Sequence, residues 1–221
     1  VDRSRTGAIF GNLSFPSEGL SAFAERQWLQ QSIFDQSLEL PNIAHQPINR
    51  FMSGYPVMLL SQLGLEGPLY ALDAACASGL VALKHACEVL HDGRADVMIA
   101  GGVNRADDLF IHVGFCALQA LSRSGQSRPF HADADGLLPA EGVVAIALKR
   151  LADAERDGDD IVAVIRGIGT SNDGRSRGLL APAECGQIEA MQRAYHVAGL
   201  SPDQISFIEC HATGTPVGDA T

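Results

Sequence analysis

The 221-residue sequence has no Cys-x-x-Cys pair, no block of basic residues, no internal repeat and no flexible linker. The longest apolar runs, Val97-Met98-Ile99-Ala100 and Val143-Val144-Ala145-Ile146-Ala147-Leu148, fall far short of a bilayer crossing, so no membrane span is expected. The formal charge of −10 is spread along the chain, which argues against a nucleic acid partner. Five cysteines (Cys76, Cys87, Cys116, Cys185, Cys210) make an odd number, and no signal-peptide pattern stands at the start. A reducing, cytoplasmic setting is the corresponding expectation. Gly167-Ile168-Gly169-Thr170-Ser171-Asn172-Asp173-Gly174 lacks both the G-x-G-x-x-G spacing and a Gly-Lys-Ser/Thr ending, so it reads as a loop and not as a nucleotide cradle. No set of ligands stands at metal spacing.

What is present is enough for one sizeable core: 46% of the residues are hydrophobic. The opening on Val1 and the stop at Gly218-Asp219-Ala220-Thr221 in mid-pattern suggest a fragment. Gly7-Ala8-Ile9-Phe10-Gly11 is strand-like. Glu18 to Leu40 reads as one or two helices in a partly exposed insert, and Val57 to Gly64 as a short, nearly all-apolar helix.

Leu69-Tyr70-Ala71-Leu72 suits a buried strand, and Leu80, Leu83, Ala86, Cys87 and Leu90 then recur at helical spacing up to a stop at Gly93. Between them, Cys76 falls on a strand-to-helix turn, where unpaired N–H groups and the positive end of the helix dipole favour a thiolate. Cys76 is read as a nucleophile; the alternative is a small buried hydrophobe. Ala95 to Gly102 reads as the next strand, so strand, helix and strand imply a parallel crossover and an α/β fold.

Asp107 to Leu121 is apolar on most sides, and Phe110, Phe115 and Leu118 are either core or the wall of an apolar pocket. Arg128 to Gly136 is turn-rich, and its Asp133 and Asp135 cap turns more readily than they serve as acid and base. Strands are expected over Val143–Lys149, Ile161–Gly169 and Ile205–Cys210. A charged turn or short helix covers Asp153–Asp160. Glu184–Ala198 should be helical, with Ile188, Met191, Tyr195 and Ala198 on one side and Gly199 closing it. Ser201-Pro202-Asp203-Gln204 has the form of a capping box. His211 follows the last strand in a polar, glycine-containing turn, the position where open α/β sheets place active sites; a structural histidine is the alternative.

Asp73-Ala74-Ala75-Cys76-Ala77-Ser78-Gly79 resembles the nucleophile motif of β-ketoacyl synthases, and His211-Ala212-Thr213-Gly214-Thr215-Pro216-Val217-Gly218-Asp219 resembles their first active-site histidine motif. Phe130 to Gly136 with Glu141-Gly142, and Val164 to Gly167 with Asn172-Asp173-Gly174 and Leu180-Ala181-Pro182, match the same family in order. Arg50-Phe51-Met52-Ser53-Gly54 and Leu72 to Cys76 are similar to condensing domains of iterative synthases making polyketides, polyunsaturated fatty acids or glycolipid chains.

The resemblance implies a partial ketosynthase domain over residues 1–221 with the thiolase-like αβαβα layered fold, holding the first half and the start of the second. It implies catalytic roles for Cys76 and His211, contacts from Thr213 and Thr215 to a phosphopantetheine arm, and supporting roles for Glu141 and Asp219. No permanently bound cofactor is implied, the phosphopantetheine being carried by an acyl carrier protein. Acyl and malonyl-type thioesters are the implied substrates, and a homodimer within a multidomain synthase the implied assembly. A second histidine, a lysine and a phenylalanine gate would lie beyond Thr221. Ala74, Gly79, Ala212, His131 and Leu137 depart from the commoner family residues, and none of these changes removes a reactive group. The alternatives are a thiolase-type coenzyme A acyltransferase and a non-condensing structural partner within a synthase.

Overall fold

The computed structural model describes residues 1–12, 62–104, 109–175 and 181–221. The expected helices over Glu18–Leu40 and Val57–Gly64, the Arg50–Gly54 motif and Leu180 lie outside these residues, apart from a turn over 62–64. The chain divides into two compact units, one of Val1–His112 with Ala140–Asp160 and one of Val113–Pro139 with Ile161–Thr221.

The first unit is built on a four-stranded sheet of β1 (Thr6–Asn12), β2 (Leu69–Leu72), β3 (Val97–Asn104) and β4 (Gly142–Leu148), in the order β2-β1-β3-β4. β1 pairs in parallel with both β2 and β3, so the crossover expected from the sequence joins two strands that flank β1. β4 runs antiparallel to β3, with Asn104 opposite Gly142 and Met98 opposite Leu148. A central strand covered on both faces must be apolar throughout, and β1 is buried from Thr6 to Gly11.

The crossover helix α1 (Ser78–His91) ends two residues before Gly93, the stop the sequence predicts. Its sheet-facing side keeps Ala86 and Leu90 of the expected stripe, with Leu83 packed beside them, and loses Leu80. Ala82, Ala86, Val89 and Leu90 are buried against Ile9, Ala95, Met98 and Ala100, while Leu80 is 69% exposed. Small alanines win this face because they let the helix backbone approach the sheet. Burying Val89 alone is worth about 1.5–3 kcal/mol.

Behind the far end of α1, Arg150 donates to the carbonyls of Leu90 (2.8 Å) and Ala95 (2.9 Å) and, with Arg5, to the Asp96 carboxylate. These two guanidiniums, Arg5 first, hold the Asp96 carboxyl well below the usual carboxylate range. α3 (Leu151–Asp157) is the short charged helix expected after β4.

α2 (Leu109–Ala117) leads into the second unit, which holds α4 (Glu184–Ala198) and a one-turn helix, α5 (Pro216–Asp219). α4 has the predicted limits and closes on Gly199. The capping box is formed around a short 3-10 turn, Pro202–Gln204.

Two expectations fail in this unit. Residues 161–169 and 205–210 form no strand, and Val162 is 96% and Phe207 76% exposed. A strand exists only through a ladder with a neighbour, and among the described residues neither segment has one. Residues 161–169 lie along α4 instead: a Cβ on Gly167 would stand 2.6 Å from the Ala194 carbonyl oxygen, and one on Gly169 2.0 Å from that of Ala190. The packed side of α4 is therefore the small-residue row Ala190, Ala194 and Ala198. Ile188 and Met191, assigned to the packed side by spacing, are 41% and 42% exposed.

Candidate active site

β1, β2 and β3 are parallel and in register, so Gly11, Leu72 and Gly102 lie side by side at one edge of the sheet. The turn after Leu72 emerges there, at the carboxyl ends of the parallel strands, which is where open α/β sheets bind ligands. Cys76 sits on that turn with its side chain exposed, which removes the buried-hydrophobe alternative.

The turn is tightly organised. Ala75 adopts φ +50°, a left-handed conformation that costs a non-glycine residue about 1–2 kcal/mol. Its N–H donates to Asp73 Oδ1 (2.8 Å) and its carbonyl accepts from the Ser78 N–H (3.1 Å). The Ser78 side chain, almost wholly buried, accepts from the Ala74 N–H (2.9 Å) and donates to the Ala75 carbonyl (2.5 Å).

Beneath this turn is Gly11. A Cβ there would lie 2.3 Å from the Ser78 carbonyl carbon and 2.5 Å from the Gly79 nitrogen, so only glycine lets α1 begin at this height above β1. On α1 itself, Cys87 is half-buried, and burial pushes its thiol up from the ordinary value. Glu141 precedes β4 on the same sheet edge as Cys76.

In the second unit, His211 is exposed and is followed by Ala212 at φ +44°. The residues after it form a compact turn. Thr213 Oγ1 and Thr215 Oγ1 are 3.0 Å apart, and the Asp219 carboxylate accepts from the Gly214 N–H (3.1 Å) and the Phe130 N–H (2.7 Å). Gly136 N–H also donates to the Gly214 carbonyl (3.0 Å), so the 128–136 loop is stitched to this turn at two points. Phe130, at φ +61° and 63% exposed, is held on the loop by Asp219.

The aspartate pair divides as turn chemistry suggests. Asp135 caps its neighbours by accepting from Ser122 Oγ (2.6 Å) and the Ser124 N–H (2.8 Å), and the Ser122 hydroxyl is the main reason its carboxyl lies below the ordinary value. Asp133 is exposed, its N–H donating to His131 Nδ1 (3.0 Å). Phe115 is half-buried on α2 and Leu118 is 48% exposed just after it; the Phe110 side chain lies outside the described residues. Among the described residues, no three His, Cys, Asp or Glu side chains are grouped to hold a metal ion, and no helix is long and apolar enough to cross a membrane.

The structure therefore brings Thr213, Thr215 and Asp219 together on the His211 turn, and places Cys76 on a turn of the other unit. Sequence reasoning missed Gly11 and Ser78 as supports of Cys76, and Phe130 as the partner of Asp219. A glycine at the end of a buried strand, and a serine two residues after the cysteine, were the available signals.

A mixed α/β chain whose four-stranded sheet carries a parallel crossover and an exposed cysteine at its start is consistent with a thiolase-like fold. Solved ketosynthases confirm it. The structure titled PfaC Keto synthase-Chain length factor superposes with a TM-score of 0.81 at 37% identity, covering 98% of this chain and 25% of that one. An oxazolomycin ketosynthase domain from Streptomyces albus also superposes at 0.81, with 31% identity, covering 97% of this chain and 36% of its own.

Residues 2–154 match the family Beta-ketoacyl synthase, N-terminal domain, and residues 162–221 match Beta-ketoacyl synthase, C-terminal domain. The chain belongs to the β-ketoacyl synthase family. Among curated relatives, the PKS-NRPS hybrid synthetase ATPKS of Aspergillus niger is 45% identical over 157 residues, 71% of this chain and 8% of that protein. The mycocerosic acid synthase-like polyketide synthase of Mycobacterium tuberculosis is 43% identical over 157 residues, 71% of this chain and 7% of that protein. The chain thus spans less than a tenth of the length of these curated relatives.

Proposed function

We propose that this chain contributes the nucleophile and one histidine of a ketosynthase that performs decarboxylative Claisen condensation in polyketide or fatty acid synthesis. The observation that carries the proposal is the exposed Cys76 on a braced turn at the carboxyl edge of a parallel sheet, in a chain of this family.

In the first step Cys76 Sγ attacks the carbonyl of an acyl thioester carried by phosphopantetheine on an acyl carrier protein. The carbon–sulfur bond to the carrier breaks, and the pantetheine leaves as a thiolate that takes up a proton from solvent. Splitting condensation into transacylation and carbon–carbon bond formation is the benefit of a covalent intermediate. The Cys76 N–H serves as one oxyanion donor. A malonyl-type extender on the carrier then loses carbon dioxide. His211 stabilises the enolate oxygen, and the enolate carbon attacks the Cys76 acyl group. The new carbon–carbon bond forms as the bond to Cys76 breaks, releasing a β-ketoacyl thioester and regenerating the thiolate.

Thr213 and Thr215 present adjacent hydroxyls suited to the amide-rich pantetheine arm. Asp219 keeps their turn in register with the 128–136 loop, and Glu141 supports the site from the start of β4. Phe110, Phe115 and Leu118 are the residues the sequence nominates for the acyl pocket. The parent protein is a cytoplasmic, homodimeric multidomain synthase.

The test is mass spectrometry of the full-length protein incubated with an acyl carrier protein thioester. A mass increase of one acyl group on the peptide containing Cys76, abolished by Cys76→Ala, is expected. Acylation at another residue, or its survival in Cys76→Ala, would sink the nucleophile assignment.

A further inference from the structure

We infer that Ser78 is a positioning residue for the Cys76 nucleophile, an inference that rests on the acylation of Cys76 proposed above. Three observations converge on it. Among the described residues, Thr6 and Ser78 are the buried polar ones. Its hydroxyl is spent wholly on the turn, accepting from Ala74 N–H and donating to the Ala75 carbonyl, the residues immediately before Cys76. Ala75, between those contacts, carries the left-handed φ of +50°.

A strained backbone persists only where its surroundings over-determine it, and here the determinants can be named. Asp73 Oδ1 takes the Ala75 N–H, the Ser78 N–H takes the Ala75 carbonyl, and the Ser78 hydroxyl closes the loop on both sides of the Ala74–Ala75 peptide. Of these, the hydroxyl alone joins a side chain rooted in α1 to backbone on the amino side of Cys76. Ser78 is in turn fixed in height by Gly11 directly beneath its carbonyl carbon. The register of β1 is thereby transmitted to the sulfur: strand, glycine contact, Ser78, turn, Cys76.

Removing the hydroxyl leaves the Ala74 N–H without its described acceptor and frees the Ala74–Ala75 peptide to relax from the strained form. The thiol remains, still exposed, but its approach angle to a thioester carbonyl is no longer fixed. Misplacement of about 1 Å can cost on the order of 100-fold in rate, so Ser78→Ala should slow acylation by at least about 10-fold. The loss should fall on the maximal rate, because the turn positions the attacking atom and does not bind the carrier.

The experiment compares wild type and Ser78→Ala in the full-length protein by two readouts. Acylation of Cys76 from an acyl carrier protein thioester reports positioning, and alkylation by iodoacetamide reports whether the thiols are accessible. Cys87, half-buried and about 13 Å along the same helix by its rise per residue, is the internal control for loss of α1. Acylation reduced at least about 10-fold in maximal rate, with Cys76 alkylation within about 2-fold and Cys87 still protected, is the expected result. Unchanged acylation overturns the inference and leaves the nucleophile assignment standing. Exposure of Cys87 together with lost acylation also overturns it, since Ser78 would then hold the helix and not the turn. A wild type that is never acylated on Cys76 removes the functional reading itself, and the inference with it.

Discussion

The Cys76 turn and the His211 turn solve one problem by different means. Each sets a candidate site residue beside an alanine in the left-handed region, Ala75 before the cysteine and Ala212 after the histidine. The first is bolted to a hydrophobic core: α1 is packed on β1 and β3, and Gly11 sets its height. The second is tied by polar contacts between loops, with Asp219 and the Gly136–Gly214 bond joining the turn to residues 128–136. In the roles proposed, a nucleophile that must attack at one angle would rest on packing, which is stiff. A histidine proposed to stabilise a charge through a hydrogen bond could rest on a hydrogen-bonded scaffold.

The sharpest way to break the comparison is to remove the histidine. If the two turns divide the labour as proposed, His211→Ala should reduce malonyl decarboxylation by about 100-fold or more while acyl loading on Cys76 changes by less than about 3-fold, as for loss of one oxyanion-type donor. Single-turnover assays with separate acyl and malonyl carrier substrates measure both. Equal losses in the two steps would mean that His211 also serves loading, and the division between the turns would fall.

A somewhat smaller effect should follow from disturbing the packed turn from below. Gly11→Ala places a methyl 2.3 Å from the Ser78 carbonyl carbon, a backbone atom that cannot swing aside. Overpacking of this kind typically costs about 1–3 kcal/mol, read as a lower urea midpoint, and should slow acylation by about 10-fold through the displaced turn. Gly114→Ala is the control: no described atom lies within 4 Å of its Cβ, and alanine is the better helix former by about 1 kcal/mol. If Gly11→Ala loads as fast as wild type, the sheet does not set the position of Cys76.

These contrasts also mark what the sequence made legible. The apolar run before Cys76 and the helical spacing after it are local properties, so β2, α1 and the turn between them could be read directly, as could α4 from its apolar spacing and closing glycine. Which face of a helix is buried is decided by its neighbour. The alanine rows of α1 and α4 were therefore read only in part, through Ala86 and Ala198, and Leu80, Ile188 and Met191 turned out exposed. Residues 161–169 and 205–210 have strand composition, but pairing is a property of two segments, and the composition of one cannot supply it. The resemblance singled out Asp219, whereas its bond to Phe130 joins residues far apart in the chain and has no local signature.

The smallest effect on chemistry should come from the opposite end of α1, where stabilisation is ionic. Asp96 accepts from Arg5 and Arg150, and its folded-state carboxyl is held far below the unfolded value of about 3.9. A depressed carboxylate contributes stability that is fully present above the unfolded value and is lost as pH falls towards the folded one. Asp96→Asn should therefore lower Tm at pH 7, and its gap from wild type should narrow progressively below about pH 4 as the carboxylate of the unfolded wild-type chain takes up its proton. Acylation of Cys76 at pH 7 should stay within about 2-fold, because the clasp holds the end of α1 that is remote from the turn and the core between them absorbs the change. A Tm gap that widens in acid contradicts the charge assignment. A loss of acylation as large as that of Gly11→Ala would show that the whole helix, and not its first turn, positions the nucleophile.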